Sequence, residues 1–140
     1  MAIVAEQYAF VIGVDTHAAT HSLALVSAAT GGVVDQAVFP NSPAGCDRAV
    51  GWIHRKVLDQ PALVVIEGVG SYGAGIARFA SRDGLMVAEP AAMPPGQRRG
   101  IGKTDALDAV RIARSVLGVD SSRGHVPWRG VRAVACSREA

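Results

Sequence analysis

Tyr8-Ala9-Phe10-Val11-Ile12-Gly13-Val14-Asp15 is a near-continuous apolar run closed by an acid. It is rich in β-formers and does not alternate with polar residues, which is the pattern of a central strand covered on both faces. Outward from it, His21-Ser22-Leu23-Ala24-Leu25-Val26 reads as a second strand. The turn residues Ala28-Ala29-Thr30-Gly31-Gly32 then lead to a third, Val33 to Phe39, so the chain opens with an antiparallel meander.

The period changes at Pro40-Asn41-Ser42-Pro43. Ser42 suits a helix cap with Pro43 at the first helical position, and Val50, Ile53 and Val57 recur at helical spacing, predicting a helix over 43–58. Trp52 falls in register with that core stripe. Ala62-Leu63-Val64-Val65-Ile66 is a short buried strand of parallel-sheet type, ending at Glu67. A second helix is expected from Ser71 or Tyr72 to Arg82, then a fifth strand Leu85–Ala88. The proline-rich 89–97 is a loop, and Thr104 caps a last helix running to about Val116. The order β-β-β-α-β-α-β-loop-α predicts an α/β fold, a mixed five-stranded sheet with helices on both faces and strands one and four side by side.

Asp15 and Glu67 therefore close adjacent strands, at the edge of an α/β sheet where sites are built. The last helix adds two more acids, because Asp105 and Asp108 lie three apart and share a face with Ile112 and Val116. Singly each acid has an ordinary explanation: the helix pair suits the macrodipole, and Asp15 ends a strand. Together they suit Mg²⁺ or Mn²⁺, hard cations that take oxygen ligands and clamp the attacking and leaving oxygens of a phosphodiester.

Composition sets the frame. A 140-residue chain that is 49% hydrophobic suffices for one cored domain, read here as 1–118 with 119–140 a linker and the start of a further helix. No signal sequence or membrane span is visible, which predicts a cytoplasmic protein with no membrane partner. Cys46 and Cys136 lack the spacing of a zinc knuckle or a disulfide framework. Charge is uneven, −3 over residues 1–93 and +5 over 94–140, and the basic third suggests an anionic partner such as nucleic acid. Arg98, Arg99, Lys103, Arg111 and Arg114 are the candidate backbone contacts; the plainer account is a solvated basic face. Tyr72 either stacks on a base or covers the sheet edge.

Two phosphate signatures compete. Gly68-Val69-Gly70-Ser71-Tyr72-Gly73 is formally G-x-G-x-x-G, but Glu67 directly before it opposes a pyrophosphate, and a tight turn explains the glycines. Gly100-Ile101-Gly102-Lys103-Thr104 ends like a P-loop, yet Gly96 is one residue out of register. His17 and His21 do not share a helix face, which disfavours a zinc pair, while His17, two past Asp15, is within reach of the acidic edge.

At these residues the chain resembles the N-terminal domain of the DEDD transposases of the insertion-sequence-110 family. The matching pieces are Gly13-Val14-Asp15-Thr16-His17, Ile66-Glu67-Gly68 through Ser71-Tyr72-Gly73, and Gly102-Lys103-Thr104-Asp105-Ala106-Leu107-Asp108-Ala109 with Ile112-Ala113, within about Tyr8–Leu117. The resemblance implies an RNase H-like fold akin to the RuvC-type resolvases, with Asp15, Glu67, Asp105 and Asp108 as a catalytic tetrad holding Mg²⁺ or Mn²⁺. It also implies strand exchange on DNA of element ends and targets, a structured guide RNA as partner, and a homo-oligomer. Family members continue into a second domain bearing a nucleophilic serine. Ser137 is no substitute for it, so a fragment or a shortened product is expected. The alternatives are a non-catalytic nucleic-acid-binding remnant and, less favoured, a nucleotide-binding enzyme.

Overall fold

The structure is a computed structural model that describes residues 2–90 and 105–120, with side chains from residue 107 onward in the second segment. Strands β1 (Phe10–Thr16), β2 (Thr20–Ser27), β3 (Val33–Pro40), β4 (Ala62–Ile66) and β5 (Met86–Ala88) form one sheet in the order β3-β2-β1-β4-β5. The first three pair antiparallel, and β4 joins β1, then β5 joins β4, in parallel. Strands one and four are neighbours, as the apolar runs predict.

Alternation along β1 divides the core. Ile12 and Val14 face helices α2 (Pro43–Val57) and α3 (Ala74–Arg82), together with Leu23, Leu25, Ile53, Ile66 and Ile76. Trp52 belongs to this layer and meets Phe39 edge-on, ring centroids 6.1 Å apart. Val11 faces the opposite layer with Leu63, Val65, Ile112, Ala113 and Val116, formed by α4 (Asp105–Arg114) and the short α1 (Val4–Gln7). Both faces of the central strands are covered, which is why β1 and β4 carry so few polar residues.

Several boundaries move for identifiable reasons. Tyr8 is not in β1, because its amide donates to the Val4 carbonyl at 3.1 Å and closes α1. At the other end β1 runs on to Thr16, since β2 pairs with it through Asp15↔Ser22 and Thr16↔His21 after the parallel ladder to β4 has stopped at Val14↔Ile66. Helix α3 begins at Ala74 and not at Ser71 or Tyr72. Gly68, at φ 78°, starts a turn whose carbonyl accepts from both Ser71 N (2.9 Å) and Gly73 N (2.8 Å), holding Tyr72 outside the helix. Ser42 caps α2 as expected, accepting from Gly45 N at 3.0 Å. Thr104 and the loop before it lie outside the described residues.

Candidate active site

Continuing the β1–β4 register one residue beyond Val14↔Ile66 sets Glu67 beside Asp15. Two hydrogen bonds hold them level: Glu67 N donates to Val14 O at 3.2 Å, and Thr16 Oγ1 donates to Glu67 O at 2.8 Å. Thr16 was not among the expected site residues. A threonine after an acid at a strand end is a common residue type, and only the parallel neighbour reveals its task.

Helix α4 reaches this edge because of Gly13. A Cβ there would run into the Ala109 carbonyl and lie 2.7 Å from Ala113 N, so only glycine lets the helix backbone sit on the strand. Gly13 and Asp15 are two apart and share that face. The helix direction follows from its far end, where Arg114 Nε donates to Gly31 O in the β2–β3 turn at 2.8 Å. That turn lies at the end of β1 away from Asp15, so the first turn of α4 is at the end that carries Asp15.

The expected site residues are thus placed unequally. Asp15 is 4% exposed, and its Oδ2 is 3.0 Å from Nε2 of His17. Glu67 stands beside it in the backbone but is exposed. Asp108 is half-buried and 3.6 Å from the Arg111 guanidinium one turn on. Asp105 opens α4; its side chain lies outside the described residues, as do Arg98, Arg99 and Lys103. Among the described residues no three His, Cys, Asp or Glu side chains are gathered closely enough to hold a metal ion. The donor chemistry, acids at one sheet edge, nevertheless fits a hard divalent cation. Asp15 would supply the buried ligand and Glu67 an accessible one.

The basic residues separate in the same way. Arg114 is a tether between α4 and the β2–β3 turn, and Arg111 is engaged with Asp108. Tyr72 is 53% exposed in the β4–α3 turn, so about half of its surface is open. The last glycine of the formal dinucleotide motif has a packing role in that turn. A Cβ at Gly73 would meet Ile66 Cγ2 at 2.7 Å and Gly68 O at 2.9 Å, so the glycine serves close packing of the turn on its own strand.

The Gly13-Val14-Asp15-Thr16-His17 hairpin, the Glu67 turn and α4 match a transposase family model over residues 12–127, that of the insertion-sequence-110 DEDD transposases. The chain belongs to that family. Among solved structures it is similar to RuvC of T. thermophilus in complex with a Holliday junction substrate, at TM-score 0.54 and 18% identity, covering 85% of this chain and 99% of that one. The sheet order and helix placement are accordingly the RNase H-like arrangement of RuvC. Curated proteins give no match. No described helix of this family member is long and apolar enough to cross a membrane.

One polar side chain near the site is not explained by it. His21 is fully buried on the α2 side, and neither ring nitrogen has a hydrogen-bond partner among the described residues. Burial pushes its imidazole below the ordinary value of 6.5; the Asn41 amide opposes this, and His17 adds to it. Between the lowered folded value and 6.5 the unfolded chain binds the proton and the folded chain does not. Stability is therefore full above pH 6.5 and falls as the pH drops below it. His21→Phe, facing Phe39 across the strand pair, is expected to flatten that slope and to add about 1 kcal/mol in urea melts at pH 5. An unchanged pH slope in the variant would assign it to other groups.

Proposed function

We propose that this transposase-family domain binds nucleic acid and, with a divalent cation held by Asp15, Glu67, Asp105 and Asp108, cuts and exchanges DNA strands at element ends and targets. The observation that carries this reading is the seating of α4 on β1 at Gly13, two residues before Asp15, with the first turn of the helix toward the acids. Mg²⁺ or Mn²⁺, when bound, would supply Lewis-acid activation at the phosphodiester. Asp15, already desolvated, contributes charge that water screens little. Thr16 keeps the Asp15 and Glu67 backbones level through its bond to Glu67 O. The basic residues Arg98, Arg99 and Lys103, just before α4 in sequence, supply phosphate contacts, and the exposed ring of Tyr72 offers a surface for stacking on a base.

The partners of this reading are DNA of element ends and target, a structured guide RNA, and further copies of the chain. A second reading is a nucleic-acid-binding remnant without catalysis, for which the basic excess of +5 over residues 94–140 would suffice. One experiment separates them: labelled four-way junction and linear duplex incubated with the full chain in Mg²⁺, in Mn²⁺ or in chelator, across a salt series. Binding that weakens steeply with salt, with strand cleavage only in metal, is expected. Salt-sensitive binding without cleavage in either metal selects the remnant, and no binding at low salt removes both.

A further inference from the structure

The hairpin that follows Asp15 is held more firmly than a surface turn requires. His17 N donates to Thr20 O at 3.0 Å and closes the turn. Asn41, at the far end of β3, then collects its carbonyls: Asn41 Nδ2 donates to His17 O and to Ala18 O, both at 3.2 Å, and Asn41 N donates to Ala19 O at 2.8 Å. Three successive carbonyls of the turn are satisfied by one residue. Asn41 is itself fixed between the last β2–β3 pair, Thr20↔Pro40, and the Ser42 cap of α2.

The clamp determines where His17 can reach. Its Nε2 lies 3.0 Å from Oδ2 of the buried Asp15. Against an ionised Asp15, which can only accept, Nε2 is the donor in that bond. We propose that His17, held by Asn41, is a positioning residue that sets the orientation of the Asp15 carboxylate for the divalent cation. The inference rests on Asp15 being a metal ligand. A hydrogen-bonded partner behind a ligating carboxylate is worth about 10–100-fold in metal affinity, because it removes the rotations that a lone carboxylate must lose on binding. A half-exposed histidine that merely decorated the surface would carry no such weight.

The test is Mn²⁺ affinity by calorimetry on the full chain, beside the ¹⁵N shifts of the His17 ring at one fixed pH without metal. His17→Ala is expected to weaken Mn²⁺ binding about tenfold. His17→Gln, whose amide can place a donor near the same point, restores most of it, and Asn41→Ala falls between. In the metal-free wild type the His17 ring is expected as the Nε2–H tautomer, mixed in Asn41→Ala. Wild-type affinity in His17→Ala, with binding abolished in Asp15→Asn, overturns the positioning role and leaves the metal site standing. Unchanged binding in Asp15→Asn overturns the site reading, and with it the inference. A mixed tautomer in the wild type overturns the hydrogen bond whatever the metal result.

Discussion

Gly13→Ala is expected to destabilise the domain by about 3 kcal/mol, out of a total of roughly 5–15 for a domain of this kind. One added methyl group has this effect because it meets main chain. The Cβ would run into the Ala109 carbonyl and lie 2.7 Å from Ala113 N and 3.0 Å from its Cβ. A flexible side chain in the way would swing aside; a helix backbone must move as a body. Ala109 and Ala113 are themselves fully buried, so α4 would have to lift from β1 and β2 and expose Ile112 and Val116 with them. Urea melts give the loss, and hydrogen exchange locates it: α4 amides speed up more than those of β1 or β4. Gly70→Ala is the control, since a Cβ there meets nothing within 4 Å, and a change within about 0.5 kcal/mol is expected. If Gly13→Ala costs less than about 1 kcal/mol, α4 is not docked as described, and the seat that brings its first turn to Asp15 fails with it.

The same glycine shows how far the sequence could be read. The apolar run into Gly13-Val14-Asp15 marks an interior strand, and Ala62–Ile66 is legible at both boundaries because five apolar residues, three of them β-branched, sit between a proline and an acid. Ser42 and Pro43 announced α2 because capping is local chemistry. What failed depended on partners distant in sequence. Asp15 read as the end of a strand, yet β2 carries the antiparallel ladder past it and buries it. Helix α3 starts later than the sequence suggests for a nearer reason: Ser71 N and Gly73 N both donate to the Gly68 carbonyl and close a turn first. Helix α1 is four residues long, too short for any periodicity, and its order comes from Val4 and Ala5 donating to the carbonyls of Val119 and Leu117.

The candidate site divides along the same line. The residue types of the acids and their places at strand and helix ends were legible, since a buried strand ending in Asp or Glu is unusual enough to notice. Their mutual geometry was not. Nothing local in Arg114 says that it ties α4 to Gly31, and nothing local in Asn41 says that its amide serves the His17 turn, because both bonds span long stretches of chain. Thr16 is a similar case: its hydroxyl bridges to a carbonyl 51 residues away.

Asp15→Asn is expected to abolish metal-induced stabilisation while leaving the fold intact. A cation present at about 100 times its dissociation constant adds about 2.7 kcal/mol to a protein that binds it only when folded. For a chain of this size that raises the melting temperature by roughly 5–10 °C. The substitution keeps the shape of the side chain and leaves a carbonyl oxygen to accept from His17, so packing beneath α4 is unchanged; only the charge goes. Since Asp15 is the buried acid among the described members of the set, its charge acts through little screening, and an exposed acid cannot replace it. Asp35→Asn serves as the comparison. That acid is partly exposed, paired with Lys56 at 2.7 Å on the β3 side, and its loss should leave the full metal shift in place. Differential scanning calorimetry of the three proteins in Mn²⁺, Mg²⁺ and chelator decides the matter. A shift retained in Asp15→Asn would remove Asp15 from the ligand set, and a shift lost in Asp35→Asn as well would mean that the cation acts on the general charge of the surface and not on a site at the end of β1.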